Sequence, residues 1–144
     1  MVTPETGVAD GPRLLINIDV PDVAAGIAFY TAALALTVGR RFDDGFVELL
    51  GGPVPVYLLQ AQDGSVIGPA GGGTRGYDRH WTPVHCDWVV DDIDAAAARA
   101  EAAGAVRESG IDTTPYGRIA TFADPFGHGF CLIQFNERGY DALL

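Results

Sequence analysis

Two stretches of the chain alternate between apolar and mixed positions, from Leu14 to Val20 and from Val84 to Val90. A period of two is typical of a β-strand whose two faces have different surroundings. We expect the wholly apolar faces, which include Leu14 and Val84, to pack under a helix. The opposite faces carry most of the polar side chains and are expected to face water or a pocket; these residues are Asn17, Asp19, His85 and Asp87.

A helix is predicted directly after each of these strands. Asp22 and Asp92 are natural N-caps, because their carboxylates accept hydrogen bonds from the free backbone N–H groups of a first helical turn. The spacing of apolar residues predicts one helix over Val23–Leu34 and a second, alanine-rich helix over Ile93–Ala103. The second helix is expected to end at Gly104, a residue type common just beyond helix C-termini.

The chain repeats itself. A shift of 70 residues places Ala25 on Ala95 and Ala28 on Ala98, and a shift of 74 aligns the last strand of each copy. Each copy therefore predicts the order β-α-β-β-β, in which the middle strand of the last three is poorly marked. The later strands are expected near Phe46–Leu50, Val54–Gln60, Arg118–Ala123 and Phe130–Phe135.

The fold class that follows is α+β, built from two tandem βαβββ modules within one structural domain. The first module covers 13–60 and the second covers 82–135. Between them lies a glycine-rich linker at 61–81, which lacks the GK[ST] ending of a phosphate-binding loop. Residues 136–144 form a C-terminal tail.

Composition excludes several kinds of chemistry. All nine basic residues are arginine, so lysine-based Schiff-base or phosphate sites are excluded. Ser65 and Ser109 are the only serines, and neither lies in a G-x-S-x-G motif. A net charge of −10 argues against nucleic acid and anionic membranes as partners.

The chain is expected to be cytoplasmic. No apolar run reaches the roughly 18 residues of a membrane helix, and the N-terminus lacks the charge and hydrophobicity pattern of a signal peptide. The two cysteines, Cys86 and Cys131, fall on opposite faces of the predicted sheet. Both are therefore expected to remain reduced.

Three sequence motifs carry a family resemblance. They are Asp19-Val20-Pro21-Asp22 with Phe29-Tyr30 downstream, Val89-Val90-Asp91-Asp92-Ile93-Asp94, and Phe122-Ala123-Asp124-Pro125-Phe126-Gly127-His128-Gly129-Phe130. Together with the repeat, they resemble the vicinal-oxygen-chelate superfamily, which includes glyoxalase I, bleomycin-resistance proteins and extradiol dioxygenases. The resemblance implies a curled, barrel-like mixed sheet around a cavity shared by the two modules, and a homodimer.

The same resemblance implies four metal-ligand positions, which fall on Leu15, Tyr57, His85 and Cys131. Leu15 offers no donor atom, and a protonated tyrosine is a poor ligand. Two donors remain, fewer than the three protein ligands of a typical catalytic site. No cofactor is therefore expected; if a divalent metal is present, His85 and Cys131 are its expected ligands.

The inward faces predict a small-molecule pocket instead. Its candidate ligand-binding residues are Asn17, Asp19, Tyr57, His85, Asp87, Cys131 and Phe135. His80, Trp81 and Tyr116 are candidates for the pocket mouth, and His128 is expected to serve only its polar turn. The favoured hypothesis is a metal-independent protein that binds and sequesters an apolar or cationic aromatic compound.

Other functions stay open, and no catalytic residue is identified. One alternative is a lyase or isomerase of the glyoxalase I type, with a divalent metal held by His85, Cys131 and an aspartate. A second is a Cys131 nucleophile activated by His85. A third is a protein-interaction module that uses the segment Asn136–Asp141 of the tail.

Overall fold

The computed structural model describes residues 10–144. Both helices have the predicted bounds, α1 at Val23–Leu34 and α2 at Ile93–Ala103. Asp22 accepts a hydrogen bond from the Ala24 backbone N–H and Asp92 one from that of Ala95, so both N-caps are confirmed. Gly104 closes α2 in a left-handed conformation, with φ at 119°.

The first module forms a four-stranded sheet. Its strands are β1 (Ile16–Val20), β2 (Thr37–Asp43), β3 (Phe46–Leu50) and β4 (Val56–Gln60). They lie in the order β1-β4-β3-β2, with β1 parallel to β4 and the other neighbours antiparallel. The strand not located from the sequence is β2, the first of the three after α1 rather than the expected middle one, because it lacks a clear apolar alternation.

The second module repeats this arrangement. Its strands are β5 (Cys86–Val89), β6 (Val106–Arg107), β7 (Asp112–Thr114), β8 (Gly117–Ala123) and β9 (Gly129–Phe135). The order is β5-β9-β8-β6, with β5 parallel to β9, and β7 also pairs with β8. Two short strands, β6 and β7, thus take the place that β2 holds in the first module. A 3₁₀ helix at Gly139–Leu143 follows the second module.

One hydrophobic core joins the modules. Helices α1 and α2 pack against each other, and the Phe29 ring lies 6.5 Å from Phe126 and 6.4 Å from Phe130 of the second module. The helix-facing positions of β1 and β5 contribute to this core as predicted, among them Val20 and Trp88. The α+β class and the two modules are confirmed, and the curled sheets do not close into a barrel.

Two facing predictions are wrong. Leu14 and Val84 were expected under the helices, yet their side chains are 62% and 86% exposed. Both precede the first hydrogen-bonded residue of their strand, since β1 begins at Ile16 and β5 at Cys86. The alternation in sequence therefore continues two residues beyond the strands themselves. Among the described residues, no helix is both long and apolar enough to cross a membrane.

Candidate functional site

His85, Asp87 and Cys131 come together on the face of the second sheet opposite α2. Asp87 lies beside Cys131 in the parallel pairing of β5 with β9. One candidate ligand atom from each of the three residues lies within 4.8 Å of the others, and His85 Nε2 is 3.2 Å from Asp87 Oδ1. The alternation in sequence placed these side chains on one face correctly.

The Cys131 thiol is poorly suited to nucleophilic attack. It is buried, and its sulfur lies 3.6 Å from Thr121 Oγ1. Burial raises the pKa of the Cys131 thiol above its usual value, and the nearby Asp87 carboxylate adds to this effect, although the contact with Thr121 opposes it. The thiol is therefore protonated near neutral pH, which weighs against the nucleophile alternative.

Trp81 covers one side of this cluster. Its ring centroid is 4.6 Å from that of His85, and the Arg79 guanidinium lies 5.3 Å from the Trp81 ring. Arg79 is held in turn by a two-point contact with Glu108. A Cβ on Gly129 would lie 2.0 Å from the Trp81 ring, so only glycine allows this close approach to β9.

The corresponding face of the first sheet is built around a buried carboxylate, Glu48. The Tyr57 hydroxyl donates to Glu48 Oε2 at 3.0 Å. Arg40 donates from Nε and Nη2, at 3.0 and 2.6 Å, and also from its backbone N–H. The Arg40 guanidinium lowers the pKa of Glu48 from 4.5 to about 2. The carboxylate is thus ionised and fully engaged.

Three aromatic rings lie together beside this network. The Phe42 and Phe46 centroids are 4.9 Å apart, and the Tyr57 ring lies 6.1 and 5.8 Å from them. The three ring planes differ by only 31–34°. Phe42 is 45% exposed, and the Arg40 guanidinium lies 5.1 Å from its ring. This aromatic cluster (Phe42, Phe46 and Tyr57) presents a surface suited to a flat apolar ligand.

The other predicted residues of the first module lie on the same face. Asn17 is exposed and pairs with Tyr57 across β1 and β4. Asp19 forms an ion pair with Arg75 of the linker, at 2.7 Å. Asp19 therefore has a structural partner within the chain.

Phe135, by contrast, lies at the far end of β9. Its ring packs against Tyr116 and Tyr140, with centroids at 6.3 and 4.9 Å. These contacts place Phe135 in an aromatic group with the C-terminal 3₁₀ helix.

The structure brings the predicted residues together in two groups. Asn17, Asp19 and Tyr57 share the face of the first sheet, whereas His85, Asp87 and Cys131 share that of the second. Among residues 10–144, no hydrogen bond, ion pair or ring contact joins one group to the other. A cleft of about 430 Å³ does open between the modules, beside Trp88 and Arg99, but none of the predicted site residues lines it.

Several residues near the two faces were not identified from the sequence. Glu48 was detectable as a lone acidic residue inside an apolar strand segment, Phe46–Leu50. Phe42 and Arg40 were not, because β2 itself was not located. The contact of His128 with His80, at 2.8 Å, was also missed. Nothing in the spacing of two residues 48 positions apart indicates that they meet.

The four family positions fit a metal only in part. Leu15 is half exposed and has no donor, and the Tyr57 hydroxyl already donates to Glu48. His85 and Cys131 gain Asp87 as a neighbour, which gives one nitrogen, one oxygen and one sulfur donor. Three such donors are the number found in catalytic zinc sites. A metal at this place would thus be held by the second module alone.

Comparisons with known proteins place the chain in a family. Residues 15–133 match the family described as Glyoxalase-like domain. CFP32 of Mycobacterium tuberculosis (strain CDC 1551 / Oshkosh), provisionally named a glyoxylase, is 35% identical over 131 residues. The match covers 90% of this chain and 45% of CFP32, so the chain spans about half the length of this curated relative.

Solved structures share the fold. TnmS3, an antibiotic binding protein from Streptomyces sp. CB03234, aligns with a TM-score of 0.60 and 22% identity over 90% of this chain and all of its own. A mutant of the fosfomycin resistance protein FosX from Listeria monocytogenes, complexed with Mn(II) and 1S,2S-dihydroxypropylphosphonic acid, aligns with a TM-score of 0.67 and 15% identity. That alignment covers 91% of this chain and 94% of FosX. The chain belongs to the glyoxalase-like domain family, within the vicinal-oxygen-chelate superfamily.

Proposed function

We propose that this protein binds an apolar or cationic aromatic small molecule without using a metal, and sequesters it without turnover. The observation that carries the proposal is the aromatic cluster of Phe42, Phe46 and Tyr57, whose ring planes are tilted by 31–34° to one another and whose Phe42 ring is open to solvent. Flat ligands stack on such surfaces, and aromatic pairs contribute about 0.5–1.5 kcal/mol beyond the burial of their area.

Polar groups of the two faces would set the orientation of the ligand. Glu48 is engaged by Arg40 and Tyr57, so it offers no free charge to a cation. Asp87 is 38% exposed, and its carboxylate lies 3.2 Å from His85 Nε2 and beside the Cys131 thiol. A cationic group on the ligand would therefore be received by Asp87 of the second module. TnmS3, which shares the fold, is itself described as antibiotic binding.

We further propose that a homodimer completes the site. Among residues 10–144, no hydrogen bond, ion pair or ring contact joins the two groups of predicted site residues, and each face exposes large apolar residues. These include Phe42, Leu50 and Leu59 on the first face, and Trp81 and Val89 on the second. A second copy could place its second-module face over the first-module face of its partner. CFP32, about twice as long, has room for the equivalent pair within one polypeptide.

The test is a thermal-shift screen with planar aromatic and cationic compounds, in buffer containing EDTA. A ligand that binds only the native state raises the Tm as its concentration rises. We expect hits that bind stoichiometrically and are recovered unchanged, and Phe42→Ala should weaken their Kd roughly three- to tenfold. The matched control is Leu143→Ala, which shortens an exposed apolar side chain of the C-terminal 3₁₀ helix and should leave Kd unchanged.

Two results would overturn this proposal. The first is a screen in which no compound shifts the Tm; the second is binding that EDTA abolishes. Sedimentation tests the dimer separately: we expect a species of about twice 15.2 kDa at micromolar concentration. A monomer that still binds the ligand would refute the dimer while leaving the binding function intact.

A metal-dependent lyase or isomerase of the glyoxalase I type is the second candidate, favoured by the His85, Asp87 and Cys131 cluster. A divalent ion there would act as a Lewis acid toward a carbonyl oxygen of the substrate. Elemental analysis of protein purified without chelator or affinity metal separates the two candidates. This candidate expects near-stoichiometric metal that is lost in His85→Ala and kept in Cys86→Ser, since Cys86 lies outside the cluster. Metal-free wild-type protein would refute it.

A further inference from the structure

Three hydrogen bonds in series connect two histidines to two backbone carbonyl groups. His80 Nδ1 lies 2.9 Å from the Asp78 carbonyl oxygen, and His80 Nε2 lies 2.8 Å from His128 Nδ1. At the other end, His128 Nε2 lies 2.7 Å from the carbonyl oxygen of Asp19. The series links the end of the linker, the turn before β9 and the C-terminal end of β1.

The number of protons in this series follows from the donors and acceptors. A carbonyl oxygen only accepts, so His80 Nδ1 and His128 Nε2 must both carry hydrogen. A neutral imidazole has one N–H, and each ring would already use that N–H to donate to its backbone carbonyl. Two bare nitrogens would then face each other at 2.8 Å with no proton between them. The inner hydrogen bond therefore needs a third proton.

We propose that His80 and His128 share one extra proton as a singly charged imidazole–imidazolium pair, and that gain or loss of a proton at this pair loosens the contact between the linker and β1. With three ring protons, all three hydrogen bonds form at once. With two ring protons, one of the three hydrogen bonds is lost. With four, His80 Nε2 and His128 Nδ1 both carry hydrogen and repel each other.

The charges around the pair are consistent with one positive charge. From β1, the Asp19 carbonyl contacts His128, and the Asp19 carboxylate is already paired with Arg75. From the turn, the buried Asp124 carboxylate accepts the His128 backbone N–H at 2.9 Å and is also bonded by Tyr30 of α1. Asp124 forms no ion pair among the described residues, so a cation within the same turn partly balances its charge.

The linker supplies the remaining neighbours. The Tyr77 ring lies edge-on to His128, with centroids 6.1 Å apart, and its hydroxyl donates to the Ala61 carbonyl. The Asp78 carbonyl ends the series, and the residue itself is exposed to solvent. Arg79 is paired with Glu108, so its charge is already balanced. The surroundings therefore include one unpaired buried anion, Asp124, and the linker adds no unpaired cation.

The pair also controls the position of a neighbour. Trp81 directly follows His80 and packs on Gly129, the residue after His128. Opening of the pair would leave this contact held by the backbone hydrogen bond from the His80 N–H to the Gly127 carbonyl, at 2.9 Å, and so loosen Trp81 beside His85. This consequence rests on the proposed function, because it makes the ligand-binding face sensitive to pH; the shared proton itself does not depend on any ligand.

The expected pH dependence has a definite sign. Unfolded histidines titrate near pH 6.5, so well below this pH the unfolded chain binds two extra protons against one in the native pair. Stability then rises with pH. Well above pH 6.5 the unfolded chain binds none and the native pair one, so stability falls as pH rises. The contribution of the pair is therefore greatest at about pH 6.5 and smaller on both sides.

The first test compares unfolding of the wild type with that of His80→Gln, His128→Gln and the double variant between about pH 4 and pH 9. We expect the ratio of the variant to the wild-type unfolding equilibrium constant to be largest near pH 6.5 and about tenfold smaller at either end of this range. The double variant should match the single ones. His85→Gln, which removes a histidine outside the pair, is the control. A ratio that is constant, or that grows steadily toward pH 9, overturns the proposal.

A second measurement does not depend on how the variants fold. In His85→Gln protein labelled with ¹⁵N in its histidine rings, only the two rings of the pair remain. At about pH 6.5 the nitrogen shifts should show protons on both outer nitrogens and one proton shared between the inner two. Two protons in total, or an outer nitrogen without one, would overturn the shared proton whether or not the protein binds an aromatic ligand.

Discussion

Glu48 occupies a position where a charge is stable only because of its neighbours. The residue is 5% exposed, yet every donor around it points at its carboxylate, from Arg40 and from Tyr57. Gly39 contributes by its small size, since a Cβ there would lie 2.7 Å from Glu48 Oε1. A glycine within a strand often marks such a close approach. The network therefore depends on one residue from each of three strands and on the absence of a side chain at a fourth position.

This network predicts a specific acid sensitivity. The pKa of Glu48 falls from 4.5 to about 2 on folding, so its contribution is complete above pH 4.5 and is lost as pH falls from there through 2. Glu48→Gln removes the ionisable group. We expect the stability difference between wild type and Glu48→Gln, measured by urea unfolding, to shrink steadily from pH 5 to pH 2. Arg40→Gln should lose the same pH dependence, and parallel curves for wild type and Glu48→Gln would contradict the assignment.

Single residues were predicted well wherever alternation alone decides their side of the sheet. His85, Asp87 and Cys131 were placed on one face because β5 and β9 are marked by their own patterns. Leu14 and Val84 were misplaced, since the apolar alternation does not show where hydrogen bonding begins. The contacts of Trp81 with His85 and of His80 with His128 depend on the path of the linker. Local sequence carries no signal for that path.

At the scale of elements, the sequence repeat predicts the helices and the later strands correctly but does not predict β2. Its sequence, Thr37-Val38-Gly39-Arg40-Arg41-Phe42-Asp43, has a central glycine and no apolar alternation, and every residue in it is exposed. The strand forms because β3 offers it an antiparallel edge, with irregular register. Pairing with β3, rather than the sequence of the segment itself, thus stabilises this strand.

The two copies of the repeat also differ where the modules meet. In the alignment, Phe29 corresponds to Arg99 and Phe126 to Gly52. The two phenylalanines pack together and fill one junction, with ring centroids 6.5 Å apart. At the equivalent junction, Arg99 turns to donate to the Ala32 carbonyl and Gly52 has no side chain, so the cleft of about 430 Å³ remains. Exchange of two aromatic residues for arginine and glycine therefore accounts for the cleft.

At the scale of the whole molecule, few polar contacts join the modules. The most buried is the hydrogen bond from the Tyr30 hydroxyl in α1 to the Asp124 carboxylate before β9. Burial raises the pKa of the Tyr30 hydroxyl well above its usual value, and the neighbouring Asp124 charge adds to this effect. The Tyr30 hydroxyl therefore stays protonated at neutral pH and remains a donor to Asp124. Asp124 also accepts from the backbone N–H groups of Phe126 and His128.

Removal of the Tyr30 hydroxyl should weaken the packing of the two modules against each other without disturbing either sheet. Tyr30→Phe keeps the ring contact with Phe29 at 4.8 Å but leaves a buried carboxylate oxygen without its donor. Loss of such a partner costs about 1–3 kcal/mol, and we expect that decrease in the free energy of unfolding by urea denaturation. Tyr116→Phe is the matched control, because the Tyr116 hydroxyl has no hydrogen-bond partner among residues 10–144. If the two variants prove equally stable, the Tyr30 hydroxyl does not hold the modules together.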